Sequence, residues 1–341
     1  MTKMKTRYFK PALILALLLT AGISLRAQAL KQEDQKEYPV TASTELSLDN
    51  QFGNITVTDW DQSKVQIIYI VEVTGPDEAK AKKLMDKIKI EFKEEGSKII
   101  VKTNIGEDGN FNLKGKGDKQ TFRIDYFVKC PKSLKMSLDN QFGDMIISSL
   151  TGSFSADLQF GSFNAVSLTG PSTKIDMQFG KVNIGTLQDA NIDIQHCELL
   201  KIEECGPLKL DAQFTQVEIG TIESLDADLN NCELTVENLK EMLKLDMNMG
   251  NVKIHNVAAG FKSITAEQNM GDITLGIDPK AGYTLKAEVN MGSIDTPEGM
   301  KLSKEKEHDI PGLTAEKVSG TFGNGSSTIK LNCSMGSVRI K

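Results

Sequence analysis

The chain has 341 residues, 39% of them hydrophobic and 25% charged, which is the content of a globular protein and excludes a disordered or collagen-like one. The formal net charge is −6, and residues 1–29 hold five basic side chains and no acid, so the remainder sets 35 basic groups against 46 acidic ones, a net charge of −11. A surface that acidic repels phosphate backbones and no basic stripe with interleaved aromatics occurs, so nucleic acid is not an expected partner.

Residues 1–10 are basic, residues 11–25 are apolar, and Ala27, Gln28 and Ala29 offer the small-x-small pattern that signal peptidase accepts. Residues 1–29 therefore read as a cleaved secretory signal, with the mature chain starting at Leu30. The apolar run is shorter than the roughly 20 residues that span a bilayer, so no integral membrane segment is expected after cleavage. The expected location is outside the cytoplasm, in the periplasm or secreted to the cell envelope.

The segment LDNQFGNITV at 48–57 recurs as LDNQFGDMII at 138–147, ADLQFGSFNA at 156–165 and IDMQFGKVNI at 175–184. Between the first two copies lies an insertion of different character. Residues 64–73 are strand-like, residues 74–77 resemble a helix start followed by Ala81, Leu84, Met85 and Ile88 at helical spacing, and two strands flank a turn at 94–97. A polar loop at 106–119 and a strand at 121–128 follow. This α+β unit reads as an N-terminal cap, because a stack of strands otherwise ends in a raw apolar face.

Beyond the insertion, copies aligned on one column place Gly143, Gly161, Gly180, Cys197, Thr215, Cys232, Gly250, Gly271 and Gly292 in steps of 17 to 21 residues, with a last copy at Gly336. Within each copy apolar residues alternate with period 2, as in a strand with one buried face. Short strands and turns repeated every 18 residues or so leave no room for helical crossovers, and predict an all-β parallel β-solenoid, or β-helix, with one repeat per rung. The expected division is 1–29 signal, 30–135 first rung plus cap, and 136–341 solenoid repeats. The stretch 297–317, charged and carrying two prolines, reads as a loop that either decorates the C-terminal cap, the favoured reading, or binds a partner.

Glycine in this column suits a bend with positive φ, so repeats carrying Cys197, Thr215 or Cys232 there must turn differently. The preceding column runs Phe52, Phe142, Phe160, Phe179, His196, Phe214, Asn231, Met249, Met270, Met291 and Met335, and reads as an inward ladder closing the core, with His196 a core histidine. The five cysteines, Cys130, Cys197, Cys205, Cys232 and Cys333, are odd in number and irregular in spacing, and read as buried thiols.

The opening DNQFGNITV at 49–57 followed by Trp60 and Asp61, the lysine-rich helix, the strand from Ile124 to Pro131, the repeated Gln-Phe-Gly units and the ending IKLNCSMGSVRI at 329–340 resemble the bacterial putative-adhesin family of exported β-strand-repeat proteins, of head-GIN type. The resemblance covers most of the mature chain. It implies a β-helical envelope protein and carries over no catalytic residue.

Two outward columns precede the bend. One is acidic: Asp49, Asp139, Asp157, Asp176, Asp193, Asp211, Asp228, Asp246, Glu267 and Glu288. The other is amide: Gln51, Gln141, Gln159, Gln178, Gln195, Gln213, Asn230, Asn248, Asn269 and Asn290. Stacked amides can hydrogen-bond from rung to rung. The central stretch of both columns, Asp157, Asp176, Asp193 and Asp211 with Gln159, Gln178, Gln195 and Gln213, is the candidate exposed face. A ladder of equivalent acids singles out no catalytic pair, and no Cys/His set has zinc-ligand spacing. The expected function is therefore non-enzymatic, an adhesin or binding scaffold of the cell envelope with an envelope protein or glycan as partner and no metal or cofactor. The alternative is a glycan-active β-helix enzyme of lyase or hydrolase type, which the fold admits.

Overall fold

A computed structural model describes residues 28–106, 120–310 and 313–341. The expected leader, but for its last two residues, and positions 107–119 of the polar loop lie outside the described residues. The protein is mostly β with one short helix, and its strands join a single sheet.

Each repeat alternates as its sequence does. Over Thr173–Gln178 the residues Thr173, Ile175 and Met177 are buried, while Lys174, Asp176 and Gln178 are not. Burying one Ile or Met side chain contributes about 1.5–3 kcal/mol, which sets the register of each strand. The pairing is parallel and keeps equivalent residues side by side: Asp139 lies beside Asp157, then Asp176, Asp193, Asp211, Asp228, Asp246 and Glu267.

The two ends depart from sequential stacking. The first repeat, Glu45–Phe52 and Ile55–Asp59, has the second repeat on one side. On its other side the inserted strands Lys98–Ile105 and Thr121–Cys130 pair with it in parallel. Antiparallel strands Ile88–Glu95, Lys64–Gly75 and Gln28–Pro39 extend this end. The helix Glu78–Met85 is capped by Asp77, whose carboxylate accepts from the Lys80 backbone N–H, and it buries Ala81 and Leu84.

At the C-terminal end the last strand, Ser327–Ile340, does not follow Tyr283–Asp295 outward. It inserts between Ser263–Met270 and Tyr283–Asp295, pairing in parallel with both. Met270 thus neighbours Met335 and not Met291, which corrects the sequential order of copies. The stretch 297–317 is also no loop. Most of it forms the antiparallel strands Lys301–Ile310 and Leu313–Phe322, which continue the sheet from Tyr283–Asp295.

The largest correction concerns the column before the bend. Phe142, Phe160, Phe179 and Phe214 are 41, 41, 43 and 52% exposed, whereas Leu158, Met177 and Ala212, two residues before the last three, are 1, 2 and 0% exposed. Period-2 alternation stops at the amide, and the bend turns the next residue outward. His196 is likewise exposed, not a core histidine.

The bend has two pure forms, and Phe179 and Gly180 combine them, at φ 56 and 153°. In one, glycine takes positive φ, as at Gly143 and Gly161, and a Cβ on Gly161 would stand 2.1 Å from the Gly143 carbonyl oxygen. In the other, Cys197, Thr215 and Cys232 replace the glycine, and positive φ passes to the preceding His196, Phe214 and Asn231, at 54, 52 and 55°. The side chains of these three then point inward: Thr215 Oγ1 donates to the Gln213 carbonyl at 3.0 Å, and Cys232 Sγ to that of Ala212 at 3.2 Å. Toward the ends of the ladder inner amides serve the bends. Asn140 Nδ2 donates to the Gly53 carbonyl at 3.0 Å, and Gln268 Nε2 to that of Gly250 at 2.7 Å. All five cysteines are buried and free, and burial pushes the Cys130 thiol up to about 12.

Candidate functional site

One face of the sheet gathers three side-chain columns, because each bend turns its residue outward beside the amide and the acid. The rings form a continuous stack. Phe52, Phe142, Phe160, Phe179, His196 and Phe214 follow one another with centroids 4.9–5.4 Å apart and planes within 10°. The spacing is that of neighbouring strands, about 4.8 Å, so backbone pairing imposes the stack. Phe122 meets Phe52 edge-on at 4.9 Å and closes the N-terminal end. Past Phe214 the column continues through Asn231 to Met249, Met270, Met335 and Met291, and each of these methionines is 37–44% exposed. Ring faces are covered by the neighbouring rings, so the ridge shows solvent its apolar edges.

The amide column divides in two. Its asparagine part bonds from strand to strand, with Asn248 Nδ2 to Asn230 Oδ1 at 3.4 Å and Asn269 Nδ2 to Asn248 Oδ1 at 3.2 Å. The side chains of Gln159, Gln178, Gln195 and Gln213, by contrast, make no hydrogen bond among the described residues. The rung-to-rung amide bonding expected for the whole column is thus confined to the asparagines, and the glutamines keep their donors and acceptors for water or a partner.

The acidic column stands one position further from the ridge. Burial pushes the carboxyls of Asp139, Asp157 and Asp211 above the usual carboxylate value, and neighbouring aspartates add to it. Asp49 is raised by burial and drawn back by Lys102 at 3.9 Å. Asp176 is bound by Lys174 at 2.6 Å. The eight residues Asp157, Asp176, Asp193, Asp211, Gln159, Gln178, Gln195 and Gln213 therefore lie on one face, and the exposed rings missed by sequence reasoning border them. The signal that could have exposed the rings is the replacement of glycine by Cys197, Thr215 and Cys232: a residue buried at the bend forces its predecessor outward. Among the described residues no group of three or more His, Cys, Asp or Glu is placed to hold a metal ion, and no helix is long and apolar enough to cross a membrane.

A family model described as Toastrack DUF4097 matches residues 43–341, from the start of the first repeat to the last residue. The chain belongs to the Toastrack DUF4097 family. This family span takes in the repeats, the inserted strands and helix, and the returning C-terminal strand alike. Among solved structures, the chain is similar to a putative cell adhesion protein from Clostridium sporogenes at 12% identity, over 92% of this chain and 99% of that one, with a TM-score of 0.21. It is also similar to a putative adhesin from Parabacteroides distasonis at 12% identity, over 91% and 97% of the two chains, with a TM-score of 0.32. A putative adhesin from Bacteroides fragilis has 12% identity over 91% and 97%, with a TM-score of 0.22. No curated protein matches the chain.

Proposed function

We propose that this member of the Toastrack DUF4097 family is an exported β-solenoid of the bacterial cell envelope that acts without catalysis, as an adhesin-type binding scaffold. Parallel, in-register pairing of successive repeats supports the solenoid, with each repeat one rung. The ring ridge beside hydrogen-bond-free glutamines is the observation that carries the binding role. An exposed apolar strip rimmed by polar groups is the usual character of an interaction surface. The acids are equivalent from rung to rung, which supports binding over acid–base chemistry.

The partner that fits best is an envelope protein. Sugars bind aromatic side chains by their faces, and here the faces are covered; the ring edges, the free amides and the flanking carboxylates suit a protein surface with apolar and basic groups. The test is a binding screen of the mature chain against envelope proteins and envelope glycans, repeated with Gln159→Ala/Gln178→Ala/Gln195→Ala and with Phe160→Ser/Phe214→Ser. Capture of an envelope protein, weakened at least tenfold by both variants and weakened by salt, is the expected result. Capture untouched by either variant moves the site elsewhere, and shortened glycan products put the enzyme reading in its place.

A further inference from the structure

A cleft at the C-terminal end of the sheet is separate from the ring ridge. Here the strands lie in the order Ser263–Met270, Ser327–Ile340, Tyr283–Asp295, Leu313–Phe322 and Lys301–Ile310. Register places Thr265, Lys330, Lys286, Ser319 and Ser303 across them in one row. The adjacent row holds Glu267, Asn332, Glu288, Lys317 and Glu305. A cleft of about 380 Å³ opens there, lined by Lys286, Lys317, Lys330, Ser303, Ser319 and Asn332, with Glu288 as its one lining carboxylate.

Like charges directly opposite on neighbouring strands destabilise a sheet. Elsewhere in this outward column the lysines are kept apart, Lys174 and Lys209 by Asn191, and Lys209 and Lys244 by Asp226. Lys174 is also paired with Asp176, and Lys244 with Asp226 at 3.1 Å. Lys286 and Lys330 break the pattern. They are direct neighbours, and among the described residues neither makes an ion pair or a side-chain hydrogen bond. Glu288, the one carboxylate lining the cleft, is engaged by Lys317 at 3.6 Å.

We propose that this cleft binds an oxoanion group, phosphate or sulfate, carried on a sugar-sized body. The two ammonium groups supply point charges with three donors each, the shape-tolerant recognition that lysine gives phosphate. The hydroxyls of Ser303 and Ser319 and the amide of Asn332 add neutral donors on either side. The volume is larger than a bare ion fills, which calls for the attached body. An anion between Lys286 and Lys330 supplies a countercharge that no ion pair among the described residues gives them.

The test is calorimetric titration and thermal melting of the mature chain at low salt with glucose 6-phosphate, inorganic phosphate and glucose. Glucose 6-phosphate is expected to bind one per chain and to raise the melting temperature by about 4 °C at a hundredfold excess over its dissociation constant. Inorganic phosphate is expected to bind more weakly, and glucose not at all. Lys286→Gln/Lys330→Gln should weaken binding at least tenfold while its own melting temperature stays level or rises, since the repulsion is gone. Lys174→Gln, on the same face, should bind as the parent does. Absence of saturable binding by either anion, or full binding by the double variant, overturns the proposal. Equal affinity for phosphate and glucose 6-phosphate overturns the sugar-sized body.

Discussion

Two apolar columns run along the same strands of this protein, two residues apart, and they have opposite fates. Leu158, Met177, Ile194, Ala212 and Leu229 are buried to 2% exposure or less. Phe160, Phe179 and Phe214 stand 41% exposed or more, stacked on their own kind and on His196. Apolarity is shared, so it does not decide which column is core. The bend does: it interrupts the alternation, and the residue at or just before positive φ leaves the interior. The inner column holds the repeats together, and the outer one gains only the contacts of its neighbours along the face.

The largest expected effect separates the two columns directly. Met177→Asp places a carboxylate in the core and should cost about 3–5 kcal/mol, disturbing adjoining repeats. Phe179→Asp should cost about 1–2 kcal/mol, the loss of ring stacking and partial burial. Denaturant unfolding of the two variants measures the gap, and equal midpoints would break the comparison. Next in size is the bend itself. Gly161→Ala should cost about 2–4 kcal/mol, because φ is 151° and the new Cβ meets the carbonyl of Gly143.

A finer test uses two positions of the same residue type. Phe179 sits at φ 56°, a conformation costly for phenylalanine and tolerated by asparagine, as the structure itself has at Asn231. Phe160 has no such strain, since positive φ at its bend falls on Gly161 alone. Phe179→Asn should therefore be milder than Phe160→Asn by about 1 kcal/mol, read from the difference in their melting curves.

The smallest effect lies in the acidic column beside the ridge. Asp139, Asp157 and Asp211 have folded-state values raised above the unfolded one near 3.8. The native state then holds these protons more tightly, so their contribution to stability is full below the unfolded value and lost as pH rises through the folded one. At pH 7 Asp157→Asn should raise the melting temperature slightly, and the gain should vanish as pH falls toward 4. A gain that persists at pH 4 would locate its cause outside the charge.

Much of this was legible in the sequence. Period-2 alternation and the recurring Gln-Phe-Gly unit pointed to parallel, in-register strands, because both are properties of a single strand and of its nearest copy. The acid and amide columns were readable for the same reason, and so was the altered turn at Cys197, Thr215 and Cys232, since a Cβ cannot occupy the glycine bend. The bonding of the amides was only half legible, as asparagine reaches its neighbour's amide while the glutamines do not.

Other features were decided by the tertiary structure alone. That the bend carries Phe160 and His196 outward, whichever residue takes positive φ, is a change of parity of which alternation holds no record. The meeting of Lys286 with Lys330 depends on a strand that returns over 40 residues of chain to insert between two others. Local pattern cannot specify that, because a repeat matched to every other repeat can pair with any of them.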